Sequence, residues 1–139
     1  MPTFEWTQDL AVRIELIDEQ HKMLFQRAND VSQAIDNGQA LTQIIKTLDF
    51  LIDYTHFHFS TEENHMQANN YPGLEAHQTS HRELVNTLND LERDFKEEGA
   101  TFQLADALNN FLNNWLVKHI KGIDVQFGNF LKEKNIQLN

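Results

Sequence analysis

Apolar positions recur every three to four residues in four long stretches of the chain, the spacing of a helix that buries one face. Leu24, Phe25, Ala28, Val31 and Ile35 share a face over about 19–37, with Asp18 as the expected N-cap and Gly38 past the end. Leu41, Ile44, Ile45, Leu48, Leu51, Ile52 and Thr55 predict a second helix over about 41–67. Leu74, His77, His81, Leu84, Leu88, Leu91 and Phe95 alternate steps of three and four, predicting a third over about 74–97. The fourth starts near Thr101, carries Leu104, Leu108, Phe111, Trp115 and His119, and is expected to run to about 133, loosened by Gly122 and Gly128. Residues 1–17, with Pro2, Trp6 and scattered aliphatics, lack this period and read as an extended arm. The fold class that follows is all-α: an up-down-up-down antiparallel four-helix bundle with an N-terminal extended arm, one domain over residues 1–139.

Charge and composition narrow the function. The chain carries 11 basic and 21 acidic residues, a net charge of −10, which repels phosphate backbones and anionic lipid. It has no cysteine, so disulfides, zinc ribbons and iron–sulfur ligation drop out together. The N-terminus lacks the basic and apolar regions of a secretory signal, and no apolar run approaches the roughly 20 residues that span a bilayer. The expectation is a cytoplasmic monomer that engages neither nucleic acid nor membrane.

Histidine changes the picture. There are seven, and five stand where the helical stripes call for core residues. His77 and His81 are one turn apart on the stripe that supplies Leu84 and Leu88; such residues lie about 40° apart around a helix and about 6 Å along it. His58 and Glu62 continue the stripe of Leu48, Ile52 and Thr55, His21 heads the Leu24/Phe25 stripe, and His119 follows Trp115 by four. One inward histidine is ordinarily a hydrogen-bonded core residue. Five, with a carboxylate among leucines, need partners that an apolar bundle does not offer. A metal centre satisfies them together. Five imidazoles and a carboxylate exceed a four-ligand zinc site, calcium and magnesium prefer oxygen, and a donor count near seven suits two iron ions sharing a bridge. A ferritin-like site needs two Glu-x-x-His units, and Glu62-x-x-His65 stands alone.

His21 in DEQH, HFSTE from His58 to Glu62, HQTSH from His77 to His81 and HIKGID from His119 to Asp124 resemble the hemerythrin pattern, of the single-domain bacteriohemerythrin type, over nearly the whole chain from FEW onward. The resemblance implies two iron ions with an oxo or hydroxo bridge that bind O2 reversibly as a hydroperoxide. It implies His77, His81 and His119 as ligands of a filled iron, His21 and His58 as ligands of one with an open position, and Glu62 and Asp124 as bridging carboxylates. O2 is the implied ligand and an O2-consuming enzyme the implied recipient. Phe59 and Trp115 are expected to line an apolar O2 pocket, although Phe59 as core filler fits the spacing equally.

Asp124 sits badly with a regular helix. Five residues after His119, it lies about 140° away and reads on spacing alone as a solvated charge. Gly122 between them permits a π-bulge or a helix end that swings it inward. His56, about 200° from His58, should face solvent, and His65 returns to the His58 face. Phe127 stands where the family often has Tyr. The readings that remain are O2 carriage, storage or delivery, an O2- or iron-sensing module, and a di-iron enzyme acting on peroxide or nitric oxide. With no signalling domain attached and no general acid beyond the ligands, the expectation is a binding protein, not an enzyme.

Overall fold

The structure, a computed structural model, describes residues 5–138. Pro2 and the Phe4 of FEW lie outside the described residues. The chain makes a short 3-10 turn at Gln8–Leu10, then α1 (Glu15–Asp36), α2 (Leu41–Ala68), α3 (Leu74–Glu98) and α4 (Phe102–His119). A π-helical turn over Ile120–Asp124 leads without a loop into α5 (Val125–Glu133). Among the described residues there is no strand, and no helix is long and apolar enough to cross a membrane.

Helix ends depart from the sequence reading in two places. Asp18 does not cap α1, which begins a turn earlier at Glu15 with Ile14 at the cap position. The Asp18 carboxylate instead reaches back from the first turn and accepts the N–H groups of Val12 (2.8 Å) and Arg13 (3.1 Å), fixing how the chain enters the helix. The fourth helix is not one loosened α-helix to 133. It is α4 and α5 in series, and the Gly128 region is tightly packed, with Phe127, Gly128 and Leu131 buried. A Cβ on Gly128 would meet the Val12 carbonyl oxygen at 2.7 Å, so only glycine lets the backbone at Val12 pass this close to α5. Elsewhere the punctuation follows the sequence. Gly99 closes α3 with φ +83° and its N–H on the Phe95 carbonyl (2.8 Å), and the Thr101 hydroxyl caps α4 through the Leu104 N–H (3.2 Å).

Helices α1 and α2, α2 and α3, α3 and α4, and α4 and α1 pack against one another around a shared core. Leu24, Leu48, Leu51, Leu84, Leu88, Leu108 and Leu112 fill its middle. The one polar pair this half of the core buries is matched: the Ser32 hydroxyl donates to Asn109 Oδ1 at 2.6 Å, joining α1 to α4.

On α3, Glu92 faces Asp49 of α2. Burial, a hydrogen bond shared with Asp49 and the charge of Asp49 push the Glu92 carboxyl up from 4.5 to about 6, against the pull of Lys96 at 3.5 Å. A raised acid pKa means that the folded chain holds the proton more tightly than the unfolded one. Ionised Glu92 therefore destabilises the fold above about pH 6, and the effect disappears as pH falls through 6 to 4.5. Glu92→Gln is expected to raise the unfolding temperature by about 3 °C at pH 7 and to leave it unchanged at pH 4.5, read by thermal scans at both pH values.

Candidate metal centre

Toward the ends of α1 at Glu15, α2 at Ala68 and α3 at Leu74, the buried stripes turn from leucine to histidine and carboxylate. His21 comes from α1, His58 and Glu62 from α2, His77 and His81 from α3, His119 from α4 and Asp124 from the π turn, and none is more than 4 % exposed. The i, i+4 pairs on α2 and α3 share a face for the helical reason that the sequence suggests. Asp124 joins them because the backbone between it and His119 is π-helical, so that residues five apart, not four, return to one face. Gly122 is not what allows this: its φ is ordinary and a Cβ there would meet nothing within 4 Å.

All five Nε2 atoms converge on the two carboxylates. His77, His119 and His21 lie 2.6, 3.0 and 2.9 Å from Asp124 oxygens. His58 and His81 lie 3.2 and 3.4 Å from Glu62 Oε1, with His77 at 4.0 Å. The donors fall into two groups, each with its atoms within 4.8 Å of one another: Glu62, His77, His81, His119 and Asp124, and His21, His58, Glu62 and Asp124. Both carboxylates belong to both groups.

The donor set fits metal ions. Neither Glu62 oxygen has a directed hydrogen bond, and neither do Asp124 Oδ2 or the Nε2 atoms of His21, His81 and His119, although all are buried. Such atoms carry a large desolvation penalty unless a cation meets them. Two donors on adjacent corners of an octahedron with bonds of ~2.1 Å stand about 3 Å apart, which is the separation most of these pairs show. Electrostatics point the same way. Burial and the neighbouring Asp124 push the Glu62 carboxyl up, yet the His58 and His81 imidazoles outweigh them and hold it at about 2. Burial opposes ionisation of Asp124 too, and His119, His21 and His77 keep it well below its ordinary range. Both carboxylates are thus anionic and ready for a cation.

The outer edges of three rings are also fixed. Nδ1–H of His58 donates to Gln20 Oε1 (2.7 Å) and that of His81 to Glu63 Oε2 (2.8 Å), and Nδ1 of His119 shares a hydrogen bond with the Ser80 hydroxyl (2.9 Å). A proton held on Nδ1 leaves the Nε2 lone pair free to bind metal. Sequence reasoning missed these three residues, yet they follow a rule. Each is the chain neighbour of one donor and serves the ring of the next helix: Gln20 beside His21 serves α2, Glu63 beside Glu62 serves α3, and Ser80 beside His81 serves α4. A position 100° around from an inward donor faces the adjacent helix, so the signal was a polar residue beside each donor.

The hemerythrin HHE cation binding domain matches residues 12–130. The chain belongs to the hemerythrin family. A bacteriohemerythrin of Methylococcus capsulatus is 33% identical over 129 residues, covering 92% of this chain and 96% of the relative. A myohemerythrin of Sipunculus nudus is 30% identical over 124 residues, covering 89% and 90%. A solved wild-type hemerythrin superposes with a TM-score of 0.81 at 33% identity, covering 91% of this chain and 96% of that one. Together with the buried cluster, membership makes this a non-haem iron-binding chain.

Within this hemerythrin fold, the two aromatics expected near the centre lie on its five-donor side. Phe59 stacks on the His81 ring at 3.6 Å, nearly parallel, and reaches His58 at 5.8 Å. Trp115 stacks on His119 at 4.3 Å. His56 is exposed, as its angle from His58 requires, and lines a surface cleft of about 240 Å³ with Phe59, Glu63 and Arg82. His65 is half-buried and belongs to neither donor group. Phe127 offers no hydroxyl, but Tyr71, from the loop after α2, packs on it at 5.0 Å and stands 6.5 Å from the His77 ring. Burial and the Asp124 charge raise the Tyr71 hydroxyl above its ordinary value.

Removing an outer partner tests this arrangement. Glu63→Ala is expected to weaken iron binding by about 10- to 100-fold while leaving the helical circular dichroism of the apo chain unchanged, measured by competition with a chelator.

Proposed function

We propose that the chain binds O2 reversibly at a pair of iron ions, for carriage, storage or delivery. One observation carries the reading: two donor groups of unequal size share both carboxylates. His77, His81 and His119 with Glu62 and Asp124 would hold one ion, and His21 and His58 with the same carboxylates would hold the other. An oxo or hydroxo bridge would bring the first set to six donors and the second to five, which would leave one position for O2 beside His21 and His58. Iron bound there would supply the reversible transfer of two electrons that O2 uptake needs.

The protein's own part is to hold and to shield. Gln20, Glu63 and Ser80 hold the Nδ1 edges of their partner imidazoles so that Nε2 faces inward, and Phe59 with Trp115 makes an apolar wall that keeps water and protons from the centre. The architecture proposed with it is one hemerythrin-like domain over 1–139 in up-down-up-down order, led by an N-terminal arm. The short loops 37–40, 69–73 and 99–101 and the ring of packed neighbours support that order. We read the chain as a cytoplasmic monomer that hands O2 to an O2-consuming enzyme, and as a binding protein, like the hemerythrins it matches.

The test is to load the chain with ferrous iron without air, count the metal, admit O2 and follow the visible spectrum. Two irons per chain and an oxy band that fades when O2 is removed are expected. One zinc per chain would falsify the reading, and rapid turnover of peroxide with no oxy band would move it to an enzyme.

A further inference from the structure

A cleft of about 700 Å³, lined by none of the metal donors, lies between the entry to α1 and the end of α5. Its floor is apolar, from Ile14, Leu131 and Ile136, and its rim carries Arg13, Lys132 and Asn135. On a chain of net charge −10, no described acidic residue lines it. Neither Arg13 nor Lys132 forms an ion pair with a described residue. The Asp18 carboxylate, which meets the Arg13 backbone, is occupied by the N–H groups of Val12 and Arg13.

Arg13 carries a second signal. Three non-glycine residues have left-handed backbone: Asn70 (φ 54°), Asn135 (φ 55°) and Arg13 (φ 66°). Two are asparagine, which tolerates that conformation, whereas arginine does not favour it. Strain of this kind persists where the surroundings enforce it and marks functional positions. Here the Asp18 carboxylate accepts the Arg13 N–H, and the Arg13 side chain lines a cleft of mixed polar and apolar surface.

We infer that this cleft binds a small amphipathic organic anion, a carboxylate with a short apolar tail. The head would be held by the Arg13 guanidinium fork, the Lys132 ammonium and the Asn135 amide. The tail would lie on Ile14, Leu131 and Ile136. A cleft of this volume is in the range that holds small ligands.

Calorimetry on the iron-loaded full chain tests the inference with octanoate, its uncharged counterpart octanol, and acetate, which has the head without the tail. Octanoate is expected to bind with a dissociation constant of about 1 mM or tighter, at least about tenfold better than either control. Lys132→Gln and Arg13→Gly should each weaken octanoate at least about tenfold. Glycine removes the guanidinium while accepting φ 66°, so this variant keeps its fold, which a circular dichroism melt verifies. Octanol binding as well as octanoate, undiminished octanoate binding by both variants, or no saturable heat with octanoate would each overturn the proposal. Vesicles of anionic lipid form a further arm. Capture of the chain by vesicles together with no affinity for free octanoate would also overturn it, since the ligand would then be a membrane surface.

Discussion

Glu62→Ala is expected to strip the chain of both proposed iron ions, while His56→Ala on the same helix leaves iron binding in place. The two residues are less than two turns apart but occupy opposite worlds. Glu62 is buried, with both oxygens lacking directed hydrogen bonds and each donor group depending on it, whereas His56 is exposed and contributes to neither group. Loss of a shared carboxylate takes one donor from each set and removes the negative charge that offsets two cations in a low-dielectric core. Iron content should fall from two per chain to under about 0.2, by elemental analysis after desalting. The apo variant should stay helical, because Leu48, Leu51 and Ile52 still bury α2 in the core. Equal metal loss from both substitutions would place the wrong face of α2 inward.

The second large effect separates the two ions. His58→Ala leaves its group with His21, Glu62 and Asp124, whereas His81→Ala leaves the other with four donors. His58→Ala should therefore lose one iron and all O2 uptake, while His81→Ala retains about two irons with weakened affinity. Iron counts and gas-titrated absorption spectra on both variants distinguish them. Loss of the same number of irons from each would mean that the groups are not the two separate ion sites proposed.

How much of this could be read from the sequence varied with the kind of interaction. The stripes of Leu48, Ile52, Leu84 and Leu88 mark the inward faces, and the histidines inherit that orientation because a helix fixes the direction of every side chain once its face is set. Interactions between helices were less legible. Gln20, Glu63 and Ser80 act on rings of neighbouring helices, and their role depends on how those helices are rotated, which no single stripe reports. The same limit applies to Phe59: its spacing puts it beside His58, whereas its stacking on His81 depends on how α3 packs against α2. At the start of α1, Asp18 has the residue type of a cap, yet its carboxylate is used one turn inside the helix to hold Val12 and Arg13. Two functions suit the same side chain there, and only the path of the arm decides between them.

The π turn at Ile120–Asp124 is one residue longer than the α-helical turn it replaces. His119 and Asp124 return to one face across it after five residues, where a regular α-helix would take four. A chain lacking one residue between 120 and 123 would run α4 into α5 as a single regular helix. The same residues would stay buried, and the carboxylate would still follow His119 on one face, four positions on. In genetic terms, the turn that brings Asp124 inward and an ordinary helix differ by a single codon. Insertion or deletion, usually ruinous inside a helix, is here a change that the bundle can absorb.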